Sequence, residues 1–175
     1  YDENMWIGCK EYQGQSAKKG KPLYVQIGNS ATETNHHFKI LDVLKKFREN
    51  DIELYIPLSY GDMKYATQVI AYGKDIFGEK LKPITEFMPV EDYYSLISSM
   101  DIAIFAMERQ QALGNIFTLM INECKIYLSS NGILWNYFTN DLHCTVSAIE
   151  EIDSMTFDQF RAYSETEKQK NREQI

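Results

Sequence analysis

The chain has 175 residues, of which 44% are hydrophobic and 25% charged, a soluble-protein composition with room for a single domain around a buried core. Its formal charge of -7 and its lack of a long Lys/Arg run exclude a nucleic-acid backbone as the main partner, because affinity for such a backbone comes from a positive footprint. No stretch approaches the roughly 20 apolar residues that span a bilayer. Cys9, Cys124 and Cys144 are scattered without paired or metal-ligand spacing, which points to a reducing cytoplasm.

Residues 1–21 show no sustained period and carry Gly8, Gly14 and Gly20 among Lys and Gln. They read as a linker or N-terminal arm ahead of a domain over 22–175. The start has neither an initiator Met nor the layout of a signal peptide, so the chain reads as a piece of something longer. Leu23 to Ile27 is a short run of β-formers ended by Gly28-Asn29-Ser30. Ile40, Val43, Leu44 and Phe47 then recur at helical spacing.

The alternation continues with a strand over 52–58 and a helix over 62–77, with Tyr65, Val69, Tyr72 and Ile76 on one face. A short strand near 81–85 and a helix over about 91–99 follow. Asp101 to Phe105 is almost continuously apolar, as in a strand buried on both faces of a parallel sheet. Then come a loop over 106–113, a helix over 114–123, a strand over 126–128, a turn at Ser130-Asn131-Gly132 and a short helix through Trp135. A weak strand is expected at 144–146, and a helix from Thr156 onward whose last turns are almost wholly polar.

Strands alternating with helices imply right-handed crossovers and an α/β, Rossmann-like, doubly wound parallel sheet of about six strands. With strand order 3-2-1-4-5-6, ligands bind at the C-terminal ends of strands 1 and 4, where the winding reverses. The loops after Ile27 and Phe105 are therefore the expected functional edge.

The first loop, Gly28 to His37, places Gly28, Asn29, Ser30 and Asn35 ahead of a helix N-terminus, whose free N–H groups suit a phosphate or a sugar oxygen. Its plainer reading is a turn with a helix cap. His36 and His37 are neighbours, about 100° apart on a helix, so they cannot both face one ligand; His37 is the choice. The second loop carries Arg109, Gln110, Gln111, Gly114 and Asn115. A guanidinium fork grips phosphate oxygens, and Gly114-Asn115 lets backbone amides approach a pyrophosphate. An ordinary Arg109–Glu108 ion pair is the alternative. Tyr60, after the second strand, and Phe87, after the third, lie at the same edge, where a turn and a simple connection are the plainer readings. Trp135 is either core or a sugar platform.

Gly-x-Gly-x-x-Gly, a Walker loop and an Asp-x-Asp metal motif are all absent, so neither a cofactor nor a metal is expected.

Gly28, Asn29, Ser30, Asn35 and His37 form the pattern Gly-Asn-Ser-(four residues)-Asn-x-His. Arg109, Gln110, Gln111 and Gly114 form Arg-Gln-Gln-x-x-Gly, and Pro57, Tyr60, Asn131 and Trp135 fall in register with them. Over residues 23–138 the chain resembles glycosyltransferase family 56, the TDP-N-acetylfucosamine:lipid II N-acetylfucosaminyltransferases. The resemblance implies the C-terminal, donor-binding half of an inverting GT-B enzyme. Such an enzyme takes a TDP-sugar donor and a lipid-linked (undecaprenyl diphosphate) glycan acceptor, held by a missing N-terminal domain. It implies work in enterobacterial common antigen or a similar polysaccharide, with peripheral contact at the cytoplasmic face of the inner membrane. Arg109 and His37 are then the catalytic candidates and the other loop residues bind the donor; the half-enzyme alone is expected to be inactive. Ile116-Phe117-Thr118-Leu119 lacks the carboxylate with which many GT-B families hold the ribose. Two other readings are a GT-B-fold nucleotide-sugar epimerase, needing carboxylates such as Glu86, Glu108 or Glu123, and a non-catalytic flavodoxin-like domain.

Overall fold

The computed structural model describes residues 21–175. Of the expected arm, only Lys21 falls within that range; its ammonium donates to Asp101 Oδ2 and to the Ser99 carbonyl, each at 3.0 Å. Six parallel strands form one sheet in the order β3-β2-β1-β4-β5-β6: β1 (Leu23–Ile27), β2 (Ile52–Pro57), β3 (Leu81–Ile84), β4 (Ile102–Phe105), β5 (Lys125–Leu128) and β6 (Ser147–Ala148). The register pairs Val25 with Ile102 and Ile27 with Ile104, which brings the ends of β1 and β4 side by side.

Alternation along the strands divides the interior into two cores. Val25, Ile27, Ile102, Ile104 and Tyr127 face one side, where α1 (His37–Leu44), α2 (Met63–Phe77) and Phe160 of α6 (Phe157–Arg161) cover them. Ala103, Phe105, Ile126 and Leu128 face the other, under α3 (Val90–Ser98), α4 (Leu113–Ile121) and the short α5 (Ile133–Asn136). β4 and β5 are buried along their whole length, as strands covered on both faces must be. The start of α2 has a local cause: Asp62 Oδ1 accepts from the amides of Lys64 and Tyr65. Tyr72 and Ile76, expected on its buried face, are only partly covered.

Two expectations near the C-terminus are corrected. The last strand is at 147–148 rather than 144–146, because the backbone of Thr145 is engaged elsewhere: its N–H donates to Asn171 Oδ1 at 2.6 Å and its carbonyl accepts from Asn171 Nδ2 at 2.8 Å. The single terminal helix is two, α6 and α7 (Glu165–Gln174). Thr156 and Gln159 form a capping box at the head of α6, and Ser164 begins a second, its hydroxyl accepting from Glu167 N while the Glu167 carboxylate accepts from Ser164 N, so the chain restarts its helix there.

Candidate functional site

Leaving β1, Gly28 adopts φ +64 and its N–H donates to the Ile104 carbonyl at 2.9 Å, which fastens the first loop to β4. The expected cap does not form: neither the 3-10 turn at Glu33–Asn35 nor α1 receives a side-chain N-cap. Instead Asn35 turns inward and organises the loop. Its Oδ1 accepts from Asn29 N at 3.0 Å, and its Nδ2 reaches Thr32 Oγ1 at 2.8 Å and Ser30 Oγ at 3.1 Å. Fully buried and fully bonded, Asn35 has the geometry of a loop-shaping residue rather than a ligand contact.

His37, at the head of α1, is also fully buried. Its Nδ1 lies 3.1 Å from the Tyr65 hydroxyl, while Nε2 has no partner. Burial, with His36 adding to it, lowers its pKa from 6.5 to about 4. A ring that is neutral at pH 7 and shielded from the crevice suits positioning of the loop better than contact with reacting groups. Gly28 belongs to the same packing: a Cβ there would lie 2.6 Å from Asn35 Oδ1 and 2.9 Å from His37 Nε2.

The loop after β2 is stitched to this one. Ala31 N donates to the Tyr60 carbonyl and Asp62 N to the Ala31 carbonyl, both at 2.8 Å, and Ala31 and Gly61 form a parallel bridge. The Asn29 carboxamide donates through Nδ2 to the Tyr60 hydroxyl at 3.2 Å. Tyr60 itself is 47% exposed, and Phe87, after β3, is 78% exposed.

The second loop leaves β4 beside the first. Arg109 and Gln110 are exposed and Gln111 is half-buried; among the described residues Arg109 pairs with no carboxylate, Glu108 included. Ala112 takes φ +59 and starts α4 with no side-chain cap, so the amides of the first turn, at Leu113, Gly114 and Asn115, have no intrahelical partner. Gln110 also lines a cleft of about 260 Å³ with Ile133, Leu134, Asn136, Tyr137 and Asp141. A larger hollow of about 350 Å³ lies on the flank of the first loop, between Glu33 and His36 of that loop, Phe38 and Lys39 of α1, and Tyr65 and Gln68 of α2. Size alone does not outweigh the topological position of the β1/β4 edge.

Sequence reading missed Tyr93. It stands in the first turn of α3, and burial chiefly, then the electrostatic influence of Tyr60, pushes its pKa up to about 12, with Asn115 acting in the opposite direction. Tyrosine at that spacing looks like an ordinary core residue, and only its place just after β3 signalled the edge. Trp135 packs against the second core and Asn131 is exposed. Ile116 and Leu119 are buried core. Of the carboxylates an epimerase needs, Glu123 precedes β5, at the opposite sheet edge, and ion-pairs with Lys168 and Arg172 of α7. Among the described residues no group of three or more His, Cys, Asp and Glu could hold a metal ion.

Residues 5–172 match the family described as 4-alpha-L-fucosyltransferase, glycosyl transferase group 56. The chain belongs to glycosyl transferase group 56. Its fold is shared with a glycosyltransferase C-terminal domain (LpcC) from Francisella tularensis, at TM-score 0.61 and 13% identity over 82% of this chain and 81% of that one. It is similar also to WaaG, a glycosyltransferase of lipopolysaccharide biosynthesis, at TM-score 0.56 and 13% identity over 98% of this chain and 46% of that one. An α,α-trehalose-phosphate synthase (UDP-forming) from Burkholderia vietnamiensis matches at TM-score 0.67 and 6% identity over 99% and 47%. The group 56 chain thus spans about half the length of WaaG and of the synthase, and most of the isolated C-terminal domain. The six-stranded parallel sheet is that of a GT-B glycosyltransferase domain. Among the described residues no helix is long and apolar enough to cross a membrane.

Proposed function

We propose that this group 56 domain holds the nucleotide-sugar donor of an inverting, metal-independent glycosyltransferase. The donor is TDP-N-acetylfucosamine or a related deoxyamino sugar, and the acceptor an undecaprenyl diphosphate-linked glycan bound by an N-terminal domain outside this chain. The setting is bacterial surface polysaccharide synthesis, such as enterobacterial common antigen, at the cytoplasmic face of the inner membrane with peripheral contact.

One observation carries the reading: the Gly28 loop and the Arg109–Asn115 segment leave adjacent strands at the same edge, and the second ends in an uncapped helix mouth beside an arginine that has no ion pair among the described residues. As the anomeric bond breaks, negative charge grows on the departing diphosphate. Arg109 supplies a permanent positive charge, and α4 supplies aligned amides that are in place before the reaction and need no reorganisation. A charge-assisted hydrogen bond contributes about 1.5–3 kcal/mol and a helix terminus roughly 0.3–2. Attack by the acceptor hydroxyl from the opposite face inverts the anomeric carbon. The base that takes the hydroxyl proton belongs, in this reading, to the acceptor-binding half, so the domain alone binds donor without turning it over.

Calorimetric titration with TDP, TMP and thymidine tests the assignment. TDP should bind more tightly than TMP, and Arg109→Ala should weaken TDP by about tenfold or more while leaving thymidine unchanged. Equal affinity of wild type and variant for TDP would remove Arg109 from the site.

A further inference from the structure

Among the described residues three buried side-chain polar atoms lack a hydrogen-bond partner, and two of them, Asn29 Oδ1 and His37 Nε2, belong to the loop after β1 and the helix it feeds. More than nine in ten buried polar groups in folded proteins are paired, and an unpaired one costs about 1–3 kcal/mol. His37 Nε2 is enclosed by packing that leaves no room even for a Cβ on Gly28. Asn29 differs. It is 9% exposed, and its carboxamide touches the half-exposed Tyr60, the side chain bordering the crevice.

The chemistry of the unpaired atom selects its complement. One N–H of Asn29 Nδ2 is engaged by the Tyr60 hydroxyl, and the atom left with no partner at all is the carbonyl oxygen. A carbonyl oxygen repels phosphate oxygens and accepts only from O–H or N–H. The diphosphate therefore does not satisfy it, whereas a hexose, which presents hydroxyl and amide donors, does. Its surroundings agree: the side chain that touches the carboxamide is the uncharged Tyr60 hydroxyl, while the cationic Arg109 belongs to the loop after β4. The Tyr60 carbonyl is pinned by Ala31 N, so the backbone stays in place while the ring can turn about its side-chain bonds.

Resting on the donor-binding reading above, we propose that Asn29 reads the sugar: its Oδ1 accepts a hydrogen bond from a hydroxyl or amide N–H of the donor hexose, and Tyr60 turns aside to admit it. Asn29 then discriminates between sugars and takes no part in holding the diphosphate.

The test compares TDP with TDP-N-acetylfucosamine and TDP-glucose by calorimetry on wild type, Asn29→Ala and Asn29→Asp, each confirmed folded by thermal melting. Wild type should prefer at least one TDP-sugar over TDP. Asn29→Ala should lower that preference about fivefold or more while leaving TDP affinity unchanged. Asn29→Asp, which keeps an acceptor oxygen, should retain more of the preference than Asn29→Ala, even though its charge weakens every diphosphate ligand. Equal weakening of TDP and TDP-sugar in Asn29→Ala would mean that the carboxamide faces phosphate through its N–H, and would overturn the proposal; so would an unchanged preference. A wild type that binds TDP but shows no sugar preference removes this proposal alone, whereas one that binds no TDP removes the donor-binding reading and this proposal with it.

Discussion

The Nδ1 atom of His37 lies 3.1 Å from the hydroxyl of Tyr65, so the first turn of α1 is tied to the first turn of α2 beneath the loop that feeds the crevice. The burial of His37 makes this region sensitive to acid. The pKa of His37 falls from 6.5 to about 4 on folding, through burial and then His36, so protonation favours the unfolded chain. Its contribution is fully present above about pH 6.5, declines as the pH falls from there to about 4, and is gone below. Fully expressed it amounts to roughly 3 kcal/mol. Urea unfolding between pH 4 and 8 should show this slope in wild type and a flatter one in His37→Gln.

Two glycines should respond differently to alanine. At Gly28 the added Cβ meets side-chain atoms of Asn35 and His37; at Gly61, φ +110, it meets the Ala31 carbonyl oxygen at 2.5 Å, which is backbone and part of a hydrogen-bonded bridge. Both substitutions force an L-residue into positive φ, a strain of roughly 1–3 kcal/mol. Gly61→Ala should be the more damaging in thermal melting, because side chains can shift and a bridged backbone cannot.

The anchor of α7 is a concentrated polar contact outside the crevice. Asn171 is buried and bonds the Thr145 N–H, the Thr145 carbonyl and the Tyr163 hydroxyl. Asn171→Ala leaves those groups without it and should destabilise by about 2–4 kcal/mol. Limited proteolysis should then cut first at 162–164, between the last two helices.

Lys125 offers a contrast. Its buried ammonium, with a pKa lowered chiefly by desolvation, donates to the Phe160 carbonyl at 3.1 Å, and the Tyr127 hydroxyl donates to the same oxygen at 2.9 Å. Lys125→Met should therefore change stability by less than about 1 kcal/mol, since the carbonyl keeps one donor. Combined with Tyr127→Phe, the loss should exceed the sum of the single losses by about 1 kcal/mol in a double-mutant cycle.

The sheet was legible because its cause is local and repeated: an almost unbroken apolar run at 101–105 belongs only in a strand covered on both faces, and alternating strands and helices then leave few windings. The loops after Ile27 and Phe105 followed from that winding. What stayed hidden depended on long-range pairing. Nothing near Cys144 says that Asn171 takes the Thr145 backbone away from the sheet, and nothing near Asn35 says that its amide turns inward instead of capping a helix. The restart at Ser164 was readable in principle, since Ser164 and Glu167 stand in capping-box spacing, but the periodicity of Phe157, Phe160 and Tyr163 masked it.

The bridge between Ala31 and Gly61 has a consequence for engineering. The loops after β1 and β2 trade backbone hydrogen bonds in both directions, so they behave as one cassette. A chimera that imports a foreign segment over 28–37 while keeping the resident 59–62 would break the seam, whereas transplanting both segments together keeps it intact. If the loop after β1 reads the donor sugar as proposed, a redesign of that choice has to treat the pair as its smallest exchangeable part.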